Sequence, residues 1–252
     1  MRDARFVLAL LLMTVAAAAS AQPIDPLSPL ALSVACAPPP SSDGPPPAAL
    51  RVIGSQDSVP RTLLGNRDLL IVGGGTNAGV ELGQQFFLRR AISFGGSTAP
   101  SGSKTVGWIH VVAVNESTAI AAVDHACNGI LVSDYLTPYV APVVSAEIER
   151  DETSGQPDFN LLGHILAGNE GREVVGPGDL VLIDWGVDKG MTPGARFAIY
   201  RDVVGIGGPI KGLPLASIGE GVVISIGSHM ALTRVTRARD AIYSGDYIAL
   251  RR

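Results

Sequence analysis

The sequence predicts an all-β chain in which one small barrel-like domain occurs twice in tandem, behind a signal peptide and a Pro-rich tether. Three observations carry that expectation. A block of glycines, apolar runs and turn acids around Gly75 recurs at a constant offset around Gly186. The apolar residues fall in short runs bounded by turn residues, with no long segment of helical period. The first residues have the order of an export signal.

Residues 1–21 begin with Arg2 and Arg5, continue without a charge from Phe6 to Ala19, and end on Ala19-Ser20-Ala21. That basic, apolar, small-residue order predicts cleavage after Ala21, and the apolar run is shorter than the roughly 20 residues a spanning helix needs. No later stretch is apolar for long enough to span, so the mature chain is expected without a membrane span, in the periplasm or cell envelope. Loss of Arg2, Arg5 and Asp3 takes the 19 basic and 23 acidic residues to 17 and 22, a net of −5. A mildly acidic surface, with lysine only at positions 104, 189 and 211, argues against nucleic acid and against an anionic membrane surface as partners.

The expected organisation is a signal peptide at 1–21, a Pro-rich linker at 22–49, repeat 1 at 50–140, a linker at 141–160 and repeat 2 at 161–252. Residues 37–47 carry six prolines and read as a polyproline-type spacer; residues 147–159 are polar and charged and read as a hinge. Both are expected to be solvated tethers. Cys36 and Cys127 are candidates for a disulfide in an oxidising compartment, closing a loop of about 90 residues and pinning the arm to repeat 1. A lipidated Cys36 is the rival reading, though Ser33-Val34-Ala35-Cys36 lies far beyond the apolar run and lacks the usual aliphatic residue three before the cysteine.

The repeat is legible residue by residue. Gly65, Asp68, Leu69, Gly75, Gly79, Gly83, Phe86 and Arg90 match Gly176, Asp179, Leu180, Gly186, Gly190, Gly194, Phe197 and Arg201. After an offset larger by one residue, Gly107, Ala119, Val123, Asp134 and Tyr135 match Gly219, Ala231, Val235, Asp246 and Tyr247. In each copy a first strand (residues 69–72, 180–183) leads into glycines four apart, where positive φ is expected. The next strand (85–88, 196–200) runs into the shared arginine. Residues 108–114 with 119–123, and 221–226 with 231–235, read as hairpins turning at 115–117 and 227–229. A last strand follows Asp134 or Asp246, and strands at 51–53 and 164–166 open each copy. Residues 91–105 and 202–217 are expected to be variable hairpin loops. About six short strands in roughly 90 residues suit a small closed or partly open barrel.

Chemistry-bearing motifs weaken when the copies are compared. Residues 72–79 form a glycine-rich stretch after an apolar strand, which could cradle phosphate on backbone N–H groups; the matching residues 183–190 keep only the glycines a turn needs. Residues 96–105 fail as a P-loop because Ser103 separates Gly102 from Lys104 and a strand follows. His110, His125, His164 and His229 lack the paired spacing of a metal helix, and His125 with Cys127 has Arg237 and Arg239 as its counterpart, so no metal is expected. No serine sits in a nucleophile elbow. Asp68, Asp134, Asp179 and Asp246 precede strands and most simply close their own turns. Arg90 and Arg201 are expected to pair with Asp134 and Asp246, with display to an anionic partner as the other reading. The tryptophans do not occupy matching positions, which gives carbohydrate stacking thin support.

Residues 176–183, the turn at 186–194, the strand at 196–201 and the final Ser244-Gly245-Asp246-Tyr247 resemble a β-rich repeat of bacterial envelope proteins. The stretch is similar to the C-terminal domain of flagellar assembly protein T and to repeats that follow peptidoglycan-binding LysM modules. The resemblance covers 161–252 well and 50–140 more loosely: Arg67 replaces the glycine before the Asp, and Leu82 replaces the proline before Gly83. It implies an SH3-like, envelope-associated, non-catalytic module acting in assembly or scaffolding. It carries over neither peptidoglycan binding, since no LysM module precedes the repeats, nor a flagellar role.

Together these readings predict a cofactor-free interaction module, not an enzyme, binding an envelope protein through loops and sheet edges. Peptidoglycan or another glycan is the alternative ligand, and an enzyme working in a groove between the copies is the third hypothesis.

Overall fold

The computed structural model describes residues 27–41, 44–93, 101–145, 148, 154–169, 172–205, 208–209 and 215–252. The leader read at 1–21 lies outside them. The described residues are mostly strand, with one helix; that helix is far too short to cross a membrane.

The first unit comprises β1 (Val52–Ser55), β2 (Leu63–Leu64), β3 (Leu69–Val72), β4 (Gln85–Ser93), β5 (Ser101–Val114), β6 (Ala119–Ala126), β7 (Ile130–Leu131) and β8 (Tyr135–Pro138). The second comprises β9 (Pro157–Gly168), β10 (Val174–Val175), β11 (Leu180–Ile183), β12 (Arg196–Arg201), β13 (Val204–Gly205), β14 (Gly208–Pro209), β15 (Ala216–Ile226), β16 (Ala231–Ala238), β17 (Ile242–Tyr243) and β18 (Tyr247–Arg251). Strand order in the first sheet is β1-β3-β6-β5-β4-β8. In the second it is β9-β11-β16-β15-β12-β18, and there β18 pairs with β9 to close a barrel. The order is the same, but closure differs. Across the first unit's seam, among the described residues, only Arg51 and Tyr135 form a β-bridge. The cause is local. β9 is twelve residues long, whereas β1 is four and is preceded by Pro45, Pro46 and Pro47, whose nitrogens carry no hydrogen for a ladder.

Each unit has its own core. Leu70, Val72, Leu88, Ile109, Val111 and Ala121 fill the first, and Val181, Ile183, Phe197, Ile199, Val223 and Ile248 the second. Alternation explains the first core: in β3, Leu70 and Val72 point inward while Leu69 is exposed. In β11 all four residues are buried. Its outer face, Leu180 and Leu182, packs with Val222, Ile224 and Leu232 against Ala37 and Ile148.

That contact corrects the expected solvated tether. Residues 29–36 form α1 (Pro29–Cys36), capped by Ser28, whose hydroxyl accepts from Ala31 N–H at 3.2 Å, with proline in the first turn where no N–H is needed. One side of the arm packs Leu32, Ala35 and Cys36 on Phe87 and Trp108 of the first unit, while Val34 and Ala37 face the second. Thr105 donates its hydroxyl to the Ala37 carbonyl at 2.7 Å, and Cys36 is joined to Cys127. The prolines at 38–40 do end the helix, but apolar residues on both sides of residues 27–37 make this a wedge between units. The expected hinge is shorter as well, since β9 starts at Pro157 and Ile148 is buried. Of the expected hairpin loops, 91–93 and 101–105 continue β4 and β5, while 204–205 and 208–209 pair as β13 and β14.

The recurring glycines divide into two kinds. Gly79, Gly83, Gly190 and Gly194 have φ of 75–82°. Gly75 and Gly186, with φ near −134° and −133°, do not. Their missing Cβ serves close packing instead: it would fall on the Asn115 carbonyl oxygen in one unit and the Ser228 carbonyl in the other. The first unit also holds Arg67 at φ 68°, where the second has Gly178 at 91°. Because a side chain in this region costs roughly 1–2 kcal/mol, partly offset by the entropy of a glycine in the unfolded chain, Arg67→Gly is expected to stabilise by about 0.5–1 kcal/mol. A lower denaturation midpoint for the variant would contradict this.

Candidate functional site

Most amides of the glycine-rich turns are committed within the fold and are not offered to a phosphate. In the first unit, Thr76 and Asn77 donate to the carbonyls of Asn115 and Glu116, and Ala78, Gly79 and Val80 donate to Gly75, Thr76 and Gly75. The second repeats the pattern: Val187 and Asp188 donate to Gly227 and Ser228, and Lys189, Gly190 and Met191 to Gly186, Val187 and Gly186. Each turn thus clamps the hairpin tip beside it.

The four recurring carboxylates act alike. Asp68, Asp134, Asp179 and Asp246 each accept from the N–H three residues earlier, at Gly65, Leu131, Gly176 and Tyr243, over 2.7–2.9 Å. Hydrogen bonding from Arg61 and then from the Gly65 amide holds Asp68 below the usual carboxylate range. Arg90 binds Asp134 through Nε and Nη2, both at 2.7 Å, and Nη2 also donates to the Gly129 carbonyl at 2.8 Å. Arg201 makes the same fork to Asp246, again at 2.7 Å, and donates to Ala241 O at 2.6 Å. With Asp134 3 % and Asp246 5 % exposed, these guanidinium groups are turned into the fold. Phe86 and Phe197 lie in the two cores.

Three histidines pair with aspartates through Nδ1: His110 with the part-buried Asp124 at 2.6 Å, His164 with Asp184 at 3.0 Å and His229 with Asp188 at 2.9 Å. They stand on different elements and do not recur between units. His125 stacks on Trp108 at 4.7 Å. One of its ring nitrogens comes within 4.8 Å of the Cys36 and Cys127 sulfurs, but those are spent in the disulfide and offer no thiolate to a metal. Trp108 and Trp185 are both buried, so neither ring is a platform for a sugar face.

Among the described residues, a sizeable opening lies between the units. A groove of about 480 Å³ runs between the arm at 34–40, the stretch 138–143 that leaves β8, and the outer ends of β15 and β16 at 224–226 and Leu232. Its lining is predominantly apolar. Val140 and Val143 on its rim are 72 % and 88 % exposed. Arg89 is the basic group in the wall. Its guanidinium stacks over the Phe87 ring at 4.4 Å and donates to the Thr105 hydroxyl, and burial lowers its pKa to about 10. Among the described residues it has no carboxylate partner, so its neighbour Arg90 is matched inside the fold and Arg89 is not. Arg89 also lines a smaller cavity of about 210 Å³ with Ser103, Tyr135 and Thr137, beneath Pro39 and Pro46.

Arg89 is not legible in the residues the two units share. The signal was in what they do not: Arg89 stands opposite Tyr135 in the β4–β8 ladder, and the second unit has Tyr200 opposite Tyr247 in the same place. No protein-family model matches the chain, and no curated protein is detectably similar to it.

Proposed function

We propose that the chain is an exported, non-catalytic protein of the cell envelope, built from two copies of one β domain, that binds a protein partner through the groove between its units. The observation that carries this reading is the groove itself: apolar, built from the arm and both units, and rimmed by two well-exposed valines. Concave, mostly apolar openings are the usual form of a binding site, and the volume of this one falls in the range of about 300–1,000 Å³ usual for them. The Cys36–Cys127 bridge suits an oxidising compartment. The histidine–aspartate pairs are scattered over the surface away from the groove lining, and burial of both tryptophans favours a protein over a glycan.

The test is site-specific photo-cross-linking in intact cells, with a benzophenone side chain at position 143 and, as a control outside the groove, at Leu82, which is also exposed. A discrete adduct from position 143 and none from 82 is expected. No adduct, or the same adducts from both sites, would count against a groove-bound partner.

A further inference from the structure

Resting on that reading, we propose that the groove receives the C-terminal end of an apolar segment of the partner, added to the first sheet as an antiparallel strand with its terminal carboxylate on Arg89.

The second unit shows what the first lacks. There the start of β9 lies on the outer edge of β18: Arg252 N–H donates to Gln156 O at 3.1 Å, and Gln156 N–H to Arg252 O at 3.0 Å. The offset that places Tyr135 on Tyr247 places Val140 on Arg252. Val140 has no such partner. Among the described residues, neither its N–H nor its carbonyl, nor those of Ala141 and Val143, joins a backbone hydrogen bond. On this side Pro138 and Pro142 bring no N–H, so Val140 N–H is the donor the edge offers, and an unpaired apolar edge is a template for a short incoming strand.

The same strand segment covers a side chain in the second unit. Phe159 of β9 packs on Tyr200, with ring centroids 5.0 Å apart. The residue at the Tyr200 position in the first unit is Arg89, so a strand added there meets a guanidinium in place of an aromatic ring. A guanidinium has five N–H donors in a planar fork suited to a carboxylate, and Arg89 commits one side-chain nitrogen, to Thr105.

Chain direction decides which carboxylate. A strand antiparallel to β8 that enters at Val140 runs toward Tyr135. Before it gets there, the protein's own backbone takes the edge, where Leu136 N–H donates to Leu50 O at 2.8 Å. The incoming chain must therefore stop beside Arg89, and a chain that stops there presents its α-carboxylate.

The test uses the full mature chain with its disulfide intact and two pools of fluorescent hexapeptides, randomised over apolar residues at the last three positions. One pool has free C-terminal carboxylates and the other is amidated. Retention of the acid pool about tenfold or more above the amide pool is expected, as for loss of a bidentate charged contact. Arg89→Met abolishes that difference, and Arg89→Lys restores part of it. Val140→Pro removes the edge N–H at an exposed position and lowers retention of the acid pool while leaving Trp108 fluorescence unchanged. Equal retention of the two pools, an acid preference that survives Arg89→Met, or no retention of either pool overturns the proposal. So does tight binding of dodecanoate that is insensitive to Val140→Pro, which would assign the groove to acyl chains. An adduct at position 143 that persists in Arg89→Met leaves the protein-partner reading standing and removes only this one.

Discussion

Replacement of both Cys36 and Cys127 by serine is expected to lower the stability of the first unit by about 4–5 kcal/mol in the chain-entropy account of a cross-link over this span. The two cysteines are 91 residues apart, and between them lie the prolines of the arm and most of the first sheet. Without the bridge, α1 must stay docked on packing alone. An eight-residue helix does not persist by itself in water, and what holds it is Leu32 and Ala35 on Phe87 and Trp108, together with the Thr105–Ala37 hydrogen bond. Each unit carries one buried tryptophan, Trp108 in the first and Trp185 in the second, so denaturation of Trp185→Phe and Trp108→Phe backgrounds reads the units separately. The Trp108 transition should move by most of the expected amount. The Trp185 transition should move less, because there the arm contributes only its packing on Leu182, Val222 and Leu232. A shift below about 1 kcal/mol in the Trp108 transition would show that the arm is held without the covalent link and that the unfolded chain gains little freedom from losing it.

The strands of both units are legible in the sequence because their signal is local. Leu69–Val72 and Leu180–Ile183 are short apolar runs between turn residues, and both are strands over those residues. That one is buried on one face and the other on both is not local: it depends on Ala37 and Ile148, far away in the chain. The burial of the arm is not legible for the same reason. Its prolines dominate the composition, whereas the helix before them is too short to display a period, and its burial is created by two surfaces that exist only after the sheets form. The glycine pattern was half legible: positive φ follows from turn chemistry, but the need for a bare Cα at Gly75 and Gly186 comes from a hairpin tip some forty residues on. The candidate site was the least legible. Arg89 and Arg90 are adjacent, and alternation along β4 turns one toward Asp134 and the other toward the groove. A shared residue marks what the fold needs, and here the unshared neighbour bears on function.

Arg201→Met is expected to destabilise the second unit by about 2–3 kcal/mol, less than the roughly 3–5 kcal/mol of a fully buried ion pair because the guanidinium is partly exposed. Asp246 is 5 % exposed and receives three hydrogen bonds: two from the Arg201 fork and one from the Tyr243 N–H that closes its turn. Removing the guanidinium leaves a buried carboxylate with a single amide donor, frees the Ala241 carbonyl, and strips the Tyr243 ring of the cation stacked 4.7 Å from its centre. Arg201→Lys keeps the charge but cannot make the planar fork, and should fall between wild type and Arg201→Met. The informative comparison is the double variant Arg201→Met with Asp246→Asn. The amide side chain still accepts from Tyr243 N–H and carries no charge to desolvate, so the pair should be less destabilised than Arg201→Met alone. Arg90 and Asp134 repeat the geometry and should repeat the result in the Trp108 transition. A loss below about 1 kcal/mol for Arg201→Met, or a double variant worse than the single, would mean that the carboxylate is not held by the fork. The recurring arginine would then have to be kept for something outside the fold, and the division of labour between Arg90, turned inward, and Arg89, turned to the groove, would fail with it.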